Sequence, residues 1–152
     1  MAAGCPFITC AVKRKGIEFC GDCDESKTCD RWAKHRAQGK VHDSFKSYQK
    51  LADDIVSIQS NGIAEFRKEQ RVRENLLKVM LGEFNEGRSK SYYCIAATVM
   101  EVDELKSALR GARLHSKGMP IKEKSKILRL ILDKIAMEKK YLLKLRRLER
   151  GK

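Results

Sequence analysis

Five of the six cysteines in this chain fall within residues 5–29, in a short and polar stretch that reads CPFITCAVKRKGIEFCGDCDESKTC. Few apolar side chains are available there, so the stretch cannot bury enough surface to hold a fold by itself. A structural metal ion supplies the missing stability in segments of this kind. The front end is therefore predicted to be a metal-binding loop whose candidate ligands are Cys5, Cys10, Cys20, Cys23 and Cys29.

The rest of the sequence favours a metal over disulfides. The first ten residues, MAAGCPFITC, are too short and too polar for a signal sequence, and no stretch approaches the ~20 apolar residues of a membrane span. We therefore expect a cytoplasmic protein. Thiols are kept reduced in that compartment, so clustered cysteines there indicate metal binding.

The spacing of the cysteines suits thiolate ligands. In Cys20-Gly21-Asp22-Cys23 two intervening residues bring both sulfurs to one side of a turn, and the glycine permits a close backbone approach. Cys5 and Cys10 form a second arm, and Cys29 follows six residues after Cys23. Lys13, Arg14 and Lys15 lie between the arms, where they would either offset the thiolate charge or form a solvated turn.

A tetrahedral zinc ion needs only four thiolates, so the five cysteines exceed one site by one. The two candidate ligand sets are Cys10, Cys20, Cys23 and Cys29, and Cys5, Cys10, Cys20 and Cys23. Zinc is the first prediction. An iron–sulfur cluster with a redox or electron-transfer role is the alternative. Free or redox-active thiols are a third interpretation.

The remainder of the chain has helical periodicity and predicts an all-α bundle. Residues 1–30 are interpreted as the metal-binding loop and residues 31–152 as a helical body, together forming one compact domain. The predicted helices run from Thr28 to Gly39, from Asp43 or Ser44 to Asn61-Gly62, from Ile63 to Gly87, over the short apolar run after Tyr92, from Asp103, and from Ile121 to Leu148.

The final helix is predicted to be the longest and carries an unusually wide apolar face. Its main face is predicted to hold Leu128, Ile131, Ile135, Leu142 and Leu145. The residues that widen this face are Leu130, Leu132, Met137, Leu143 and Leu148. A helix of this kind is buried on two sides or pairs with another chain, so we expect a homodimer contact there as one outcome.

The formal charge of +13 is concentrated towards the end of the chain. Residues 1–30 carry four basic and five acidic side chains, whereas residues 120–152 carry twelve basic and four acidic ones. Such a surface attracts acidic partners, either nucleic acid or protein, although a solvated Lys- and Arg-rich helix surface is the simpler interpretation.

A basic turn in the middle of the chain is a second candidate site. Arg88, Ser89, Lys90 and Ser91 could bind a phosphate or another anion at a helix N-terminus, but an ordinary serine N-cap is favoured. Cys94 is expected to be an inert core residue. The three histidines (His35, His42 and His115) are expected at the solvated surface. No catalytic motif is present, and a closed four-thiolate metal site has no open coordination position for catalysis.

These motifs resemble the cysteine-rich prokaryotic proteins known as domain of unknown function thirty-seven ninety-five. The residues that carry the resemblance are the run from Cys5 to Cys10, KGIEFCGDC, Cys29, GRSKSYYC, IKEKSKIL and the closing KLRR. The resemblance implies zinc binding by the five front-end cysteines and no established activity. Similar proteins often carry a further CGxxCxxC group, which this sequence lacks.

Overall fold

The protein is all-α, as predicted, and its computed structural model describes residues 6–18 and 20–147. The described secondary structure consists of five longer helices preceded by short helical turns. The longer helices are α2 (Asp30–Val41), α3 (Leu51–Glu83), α4 (Lys90–Val99), α5 (Val102–His115) and α6 (Ile121–Lys139). Within the described ranges, none of these helices is both long enough and apolar enough to span a membrane.

The front end is built from short helical turns as well as loop. A single turn, α1 (Pro6–Ile8), leads into a π-helical segment (Thr9–Arg14), and a 3-10 turn follows at Cys20–Asp22. Gly16 sits between them with a φ of +65°, which favours glycine. The front end is therefore more ordered along the backbone than a loop, and whether it forms a zinc knuckle stays a prediction.

The boundaries of α2 differ from the prediction at both ends. Cys29, rather than Thr28, occupies the N-cap position, and the helix continues through Gly39 to Val41. Gly39 is buried against Tyr48, and a Cβ at position 39 would lie 3.1 Å from the Tyr48 Cβ. The glycine thus permits a close packing contact inside the helix and does not end it.

Helix α3 begins later than predicted because its expected N-cap is used elsewhere. Asp43 is buried, and its carboxylate accepts hydrogen bonds from the backbone N–H of Tyr48 (2.8 Å) and from Arg146 (3.1 Å). The following residues form an irregular segment, in which Phe45 is 85% exposed. The helix starts only at Leu51.

The break predicted at Asn61-Gly62 is present, as a kink that divides α3 into two helical segments. Gly62 has φ +82° and ψ +160°, a non-helical conformation open essentially only to glycine, and helical geometry resumes beyond it. The second segment ends at Glu83, four residues before the predicted Gly87. This segment, residues 63–83, has 21 residues against 19 in α6, so the prediction that the last helix is the longest is wrong.

The hydrophobic core lies between the second half of α3 and the three helices that follow it. The run after Tyr92 forms a helix, α4, as predicted, and α5 begins with a capping box between Glu101 and Glu104. Pro120 is the N-cap of α6. The largest fully buried apolar side chains are Tyr93, Phe84, Met80, Met100, Leu105, Leu128, Leu132 and Val99.

Helix α6 ends nine residues before the predicted Leu148. Lys140 adopts a left-handed conformation with φ +60°, and the chain then turns back across the bundle. The backbone of Leu142 exchanges two hydrogen bonds with the Gln49 side chain, at 2.7 and 2.8 Å. Because of this turn, Leu143 is buried, whereas Leu130 and Met137 remain exposed on α6.

A buried arginine explains the polar interruption in the apolar pattern of α3. Arg73 is 4% exposed and donates hydrogen bonds to the carbonyl oxygens of Ala97 (3.1 Å) and Met100. These carbonyls lie at the C-terminal end of α4, where the helix itself provides no partner. An ion pair with Glu69 (2.7 Å) compensates the buried charge. Helix α3 is therefore continuous around Arg73, and at this position it contacts α4 through the buried guanidinium group.

Candidate metal centre

Four of the five predicted ligands line one small cavity of about 40 Å³ at the front end. They come from three backbone segments: the π-helical segment contributes Cys10, the 3-10 turn Cys20 with Cys23 just after it, and the N-cap position of α2 Cys29. Cys5, the fifth predicted ligand, lies outside the described residues. The fold thus brings together one of the two ligand sets proposed from the spacing.

Local backbone geometry accounts for the position of these cysteines. The N–H of Cys23 donates to the carbonyl of Cys20 (3.2 Å), which closes the tight turn that the two-residue spacing predicts. The carbonyl of Cys29 accepts from the N–H of Ala33 (3.0 Å), in the first turn of α2.

Lys15 is the basic residue of the front end that reaches the cysteines. Its Nζ donates a hydrogen bond to the Cys23 sulfur (3.2 Å) and forms an ion pair with Glu25 (2.8 Å). The contact with Glu25, and then that with Cys23, raises the pKa of Lys15 above its ordinary value. A cation therefore lies beside one candidate thiolate, as expected for the basic run between the two arms.

An aromatic cluster closes one side of the cavity. The Phe7 and Trp32 rings, both lining residues, meet edge to face with centroids 5.7 Å apart. His35 stacks on Trp32 at 5.6 Å, and Tyr48 packs against His35 at 5.3 Å. His35 is thus half-buried in a packed cluster, which corrects its predicted place at the solvated surface. The sequence did contain a signal for this contact, because Trp32 and His35 are three residues apart on one helix and so lie on the same face.

Several contacts attach the front end to the helical body. Glu18 forms an ion pair with Arg67 of α3 (2.8 Å), and the 3-10 turn packs against the same helix. Tyr48, which follows α2, continues the aromatic cluster towards the body. These contacts join the cavity-lining segment to α3 and to the segment after α2.

The thiols share a cavity, but they are not gathered at metal-bonding distance. Across residues 6–18 and 20–147, no group of three or more Cys, His, Asp and Glu side chains has the arrangement of a metal site. The donor set still fits zinc, because Cys10, Cys20, Cys23 and Cys29 are four thiols around one small cavity. A bound metal stays a prediction for this chain.

The predicted anion-binding turn has one buried and three exposed members. Ser89 is fully buried, and its hydroxyl donates to the Glu86 carboxylate (2.9 Å) instead of capping α4, although it occupies the N-cap position. Arg88, Lys90 and Ser91 are exposed. The turn therefore keeps its cations available for an anion, while its buried hydroxyl is already used.

Ser89 belongs to a buried polar network that ties α4 to α6. The Ser125 hydroxyl donates to Glu86 (2.6 Å) and contacts the hydroxyls of Ser89 (3.2 Å) and Tyr93 (3.0 Å). The hydrogen bond from Ser125, supported by that from Ser89, holds the pKa of Glu86 below its ordinary value against the opposing effect of burial. Glu86 is therefore ionised and fully engaged, and sequence patterns had not suggested a role for it.

The remaining predicted residues lie away from the cavity. Cys94 is half-buried on α4 and is not among the lining residues. Its expected role as an inert core residue stays a prediction. His115 is exposed, as predicted, and His42 is half-buried.

Comparisons of this chain with protein-family models, with curated proteins and with solved structures found no match.

Proposed function

We propose that this is a small zinc-binding helical protein, in which a metal held by thiolates orders the front end and a basic surface of the helical body binds an acidic partner. The observation that carries the metal part is the shared cavity of Cys10, Cys20, Cys23 and Cys29. Four thiols from three segments of one short stretch rarely meet without a common ligand, since thiolates are also mutually repulsive.

The cavity is lined by one of the two predicted ligand sets, Cys10, Cys20, Cys23 and Cys29. In tetrahedral zinc coordination the Zn–S bonds are about 2.3 Å, so neighbouring sulfurs would lie about 3.8 Å apart. An iron–sulfur cluster is also held by four thiolates, so it stays the alternative, and its iron and sulfide content distinguishes it from zinc.

The proposed metal is structural. Four thiolates fill a tetrahedral shell, so no coordination position would remain for a substrate. Lys15 would offset part of the negative charge, and the aromatic cluster around Trp32 would exclude water from the sulfurs. The metal would then hold the front end against α2 and α3, which is the role that the resemblance to the zinc-binding family also implies.

The acidic partner is proposed from charge alone. The chain carries a formal charge of +13, so nucleic acid or an acidic protein surface would be attracted to it. We propose a cytoplasmic location, because a reducing compartment keeps the thiols that the metal requires in their reduced form. Self-association through α6 is a weaker proposal, because only isolated apolar residues such as Leu130 and Met137 are exposed there.

The metal proposal is tested by elemental analysis of untagged protein purified without chelators. We expect one zinc ion per chain, lost in Cys23→Ser and retained in the control Cys94→Ser, whose thiol does not line the cavity. Retention of zinc in Cys5→Ser would identify the set that lacks Cys5. A metal-free wild-type protein would overturn the proposal, and a brown protein with iron and sulfide would replace it with the alternative.

A further inference from the structure

A long basic groove runs along the exposed side of α6. It consists of two open depressions, of about 700 and 780 Å³, which share Arg129 and Asp133 among their lining residues. One end is marked by Arg88 and Lys122, and the other by Lys140 and Lys144. From position 122 to position 140, the helix rises about 27 Å at ~1.5 Å per residue. The groove is therefore long and narrow rather than a compact pocket.

Most cations of the basic groove form no ion pair with the residues that the structure describes. Arg88, Lys122, Lys140 and Lys144 belong to this group, whereas Lys126 pairs with Glu123 (2.8 Å) and Arg146 pairs with Asp43 (3.1 Å). This row of cations along α6 favours a ligand with several negative charges.

The two carboxylates in the basic groove are already engaged by the fold. Glu86 accepts hydrogen bonds from Ser89 and Ser125. Asp133 accepts the Tyr92 hydroxyl at 2.7 Å, and this contact, after burial, raises the pKa of that tyrosine. Asp133 is exposed and keeps its negative charge, but the two depressions are lined by seven cations and two carboxylates, so the net charge of the groove is positive.

Flat and apolar groups lie among these cations. The Arg129 guanidinium is exposed and sits 4.6 Å from the centre of the Tyr92 ring. Leu130 and Met137, seven residues apart on one side of α6, are 73% and 81% exposed. Unpaired bases stack on arginine planes and on aromatic side chains, and the exposed Leu130 and Met137 add apolar surface to the lining of the groove.

We propose that the basic groove binds a single strand of nucleic acid, with phosphates at the row of cations and bases over Arg129, Leu130 and Met137. A duplex presents phosphates but hides its bases, so it would leave the apolar groups uncovered. An acidic protein segment would lack a regular row of charges matched to a 27 Å groove. This proposal rests on the basic-surface part of the proposed function and is independent of the metal.

The test is fluorescence anisotropy with a labelled oligouridylate of about 16 nucleotides and with a duplex of the same length, at about 50 and 200 mM salt. The groove variant is Lys122→Glu/Lys144→Glu, at two exposed positions whose cations form no internal ion pair. The matched control is Arg71→Glu/Arg110→Glu, which makes the same charge change at exposed positions that do not line the groove.

We expect the groove variant to bind the single strand at least about tenfold more weakly at low salt, with a salt slope lower by roughly 1.4, and the control to lose much less. Leu130→Ser/Met137→Ser should weaken the strand more than the duplex. Absence of binding by the wild type at low salt, or equal losses in the groove variant and the control, would overturn the proposal. Equal affinity for strand and duplex, or a dimer dispersed by Leu130→Ser/Met137→Ser, would overturn it as well.

The zinc content of each variant, measured on the same samples, separates this proposal from the metal proposal. If a zinc-free protein binds the strand, the groove proposal is supported and the metal proposal is overturned. If a protein with normal zinc content binds no strand, the metal proposal is supported and the groove proposal is overturned.

Discussion

The ion pair between Asp43 and Arg146 joins positions 103 residues apart and is the contact that fixes the end of the described chain. Arg146 also donates to the carbonyls of Gly39 and Lys40, each at 2.7 Å, so one guanidinium gathers the end of α2, the segment before α3 and the C-terminal segment. Burial alone would raise the pKa of Asp43, but the hydrogen bonds from Arg146 and from the Tyr48 N–H hold it below its ordinary value. The charged form is therefore the native one.

Arg146→Ala should lower the free energy of unfolding at neutral pH by about 2 to 3 kcal/mol, because it leaves a buried carboxylate with backbone donors only, the N–H groups of Tyr48 and of position 146. Since the native pKa of Asp43 is depressed, its contribution is present above the unfolded value near 3.9 and is lost as the pH falls through the native pKa. The difference between variant and wild type in urea titrations should therefore shrink in acid. Arg147→Ala, at the exposed neighbouring position, should change stability by less than about 0.5 kcal/mol. Equal losses in the two variants would contradict this account.

At the scale of single elements, the kink of α3 separates its front half from the half that contributes to the core. The glycine at the kink has space for a side chain, since no heavy atom would lie within 4 Å of a Cβ at position 62. Its φ of +82° and ψ of +160° are the obstacle, because a side chain strains that backbone conformation by about 1 to 3 kcal/mol. The kink thus depends on the backbone and not on packing.

Gly62→Ala should accordingly lower the melting temperature, or straighten α3 and displace the front end from the body. Gly82→Ala is the matched control on the same helix, where the backbone is helical and the site is equally open. There alanine should stabilise the protein by about 0.5 to 1 kcal/mol. Thermal unfolding followed by circular dichroism checks both signs, and a stabilising Gly62→Ala would show that the kink carries no strain for alanine.

The presence of the helices could be predicted from the sequence, whereas most of their ends could not. The three- and four-residue spacing of apolar side chains in α3, α4 and α6 reports one buried face, and burial of that face is what holds a helix in place. Asp43 and Gly39 look like an N-cap and a stop signal, but each is used by a distant partner, Arg146 or Tyr48. Local signals yield to tertiary contacts that a pattern along the chain does not contain.

At the scale of the whole molecule, the candidate metal centre also has features that sequence spacing predicts and features that depend on tertiary contacts. Cysteine spacing predicted that the front-end cysteines would lie near one another, because all belong to one short stretch, but it left two ligand sets open. One of these sets, Cys10, Cys20, Cys23 and Cys29, lines the cavity. The aromatic cluster forms because Phe7 packs on α2, and the basic groove forms because the chain turns after Lys140. Both depend on contacts between separate elements, so neither follows from motif spacing.

The single tryptophan provides a test of how the metal centre is coupled to the whole molecule. Trp32 lines the cysteine cavity, while the hydrophobic core between α3 and α6 is formed by residues 76–143. Removing the proposed zinc with a strong chelator under reducing conditions should therefore expose Trp32 and shift its fluorescence to longer wavelength. Far-UV ellipticity should be largely retained, because the core helices share no lining residue with the cavity. Added zinc should reverse the shift in Cys94→Ser but not in Cys23→Ser. A simultaneous loss of fluorescence and ellipticity changes in one cooperative step would contradict a separately ordered front end, as would zinc release without any change at Trp32.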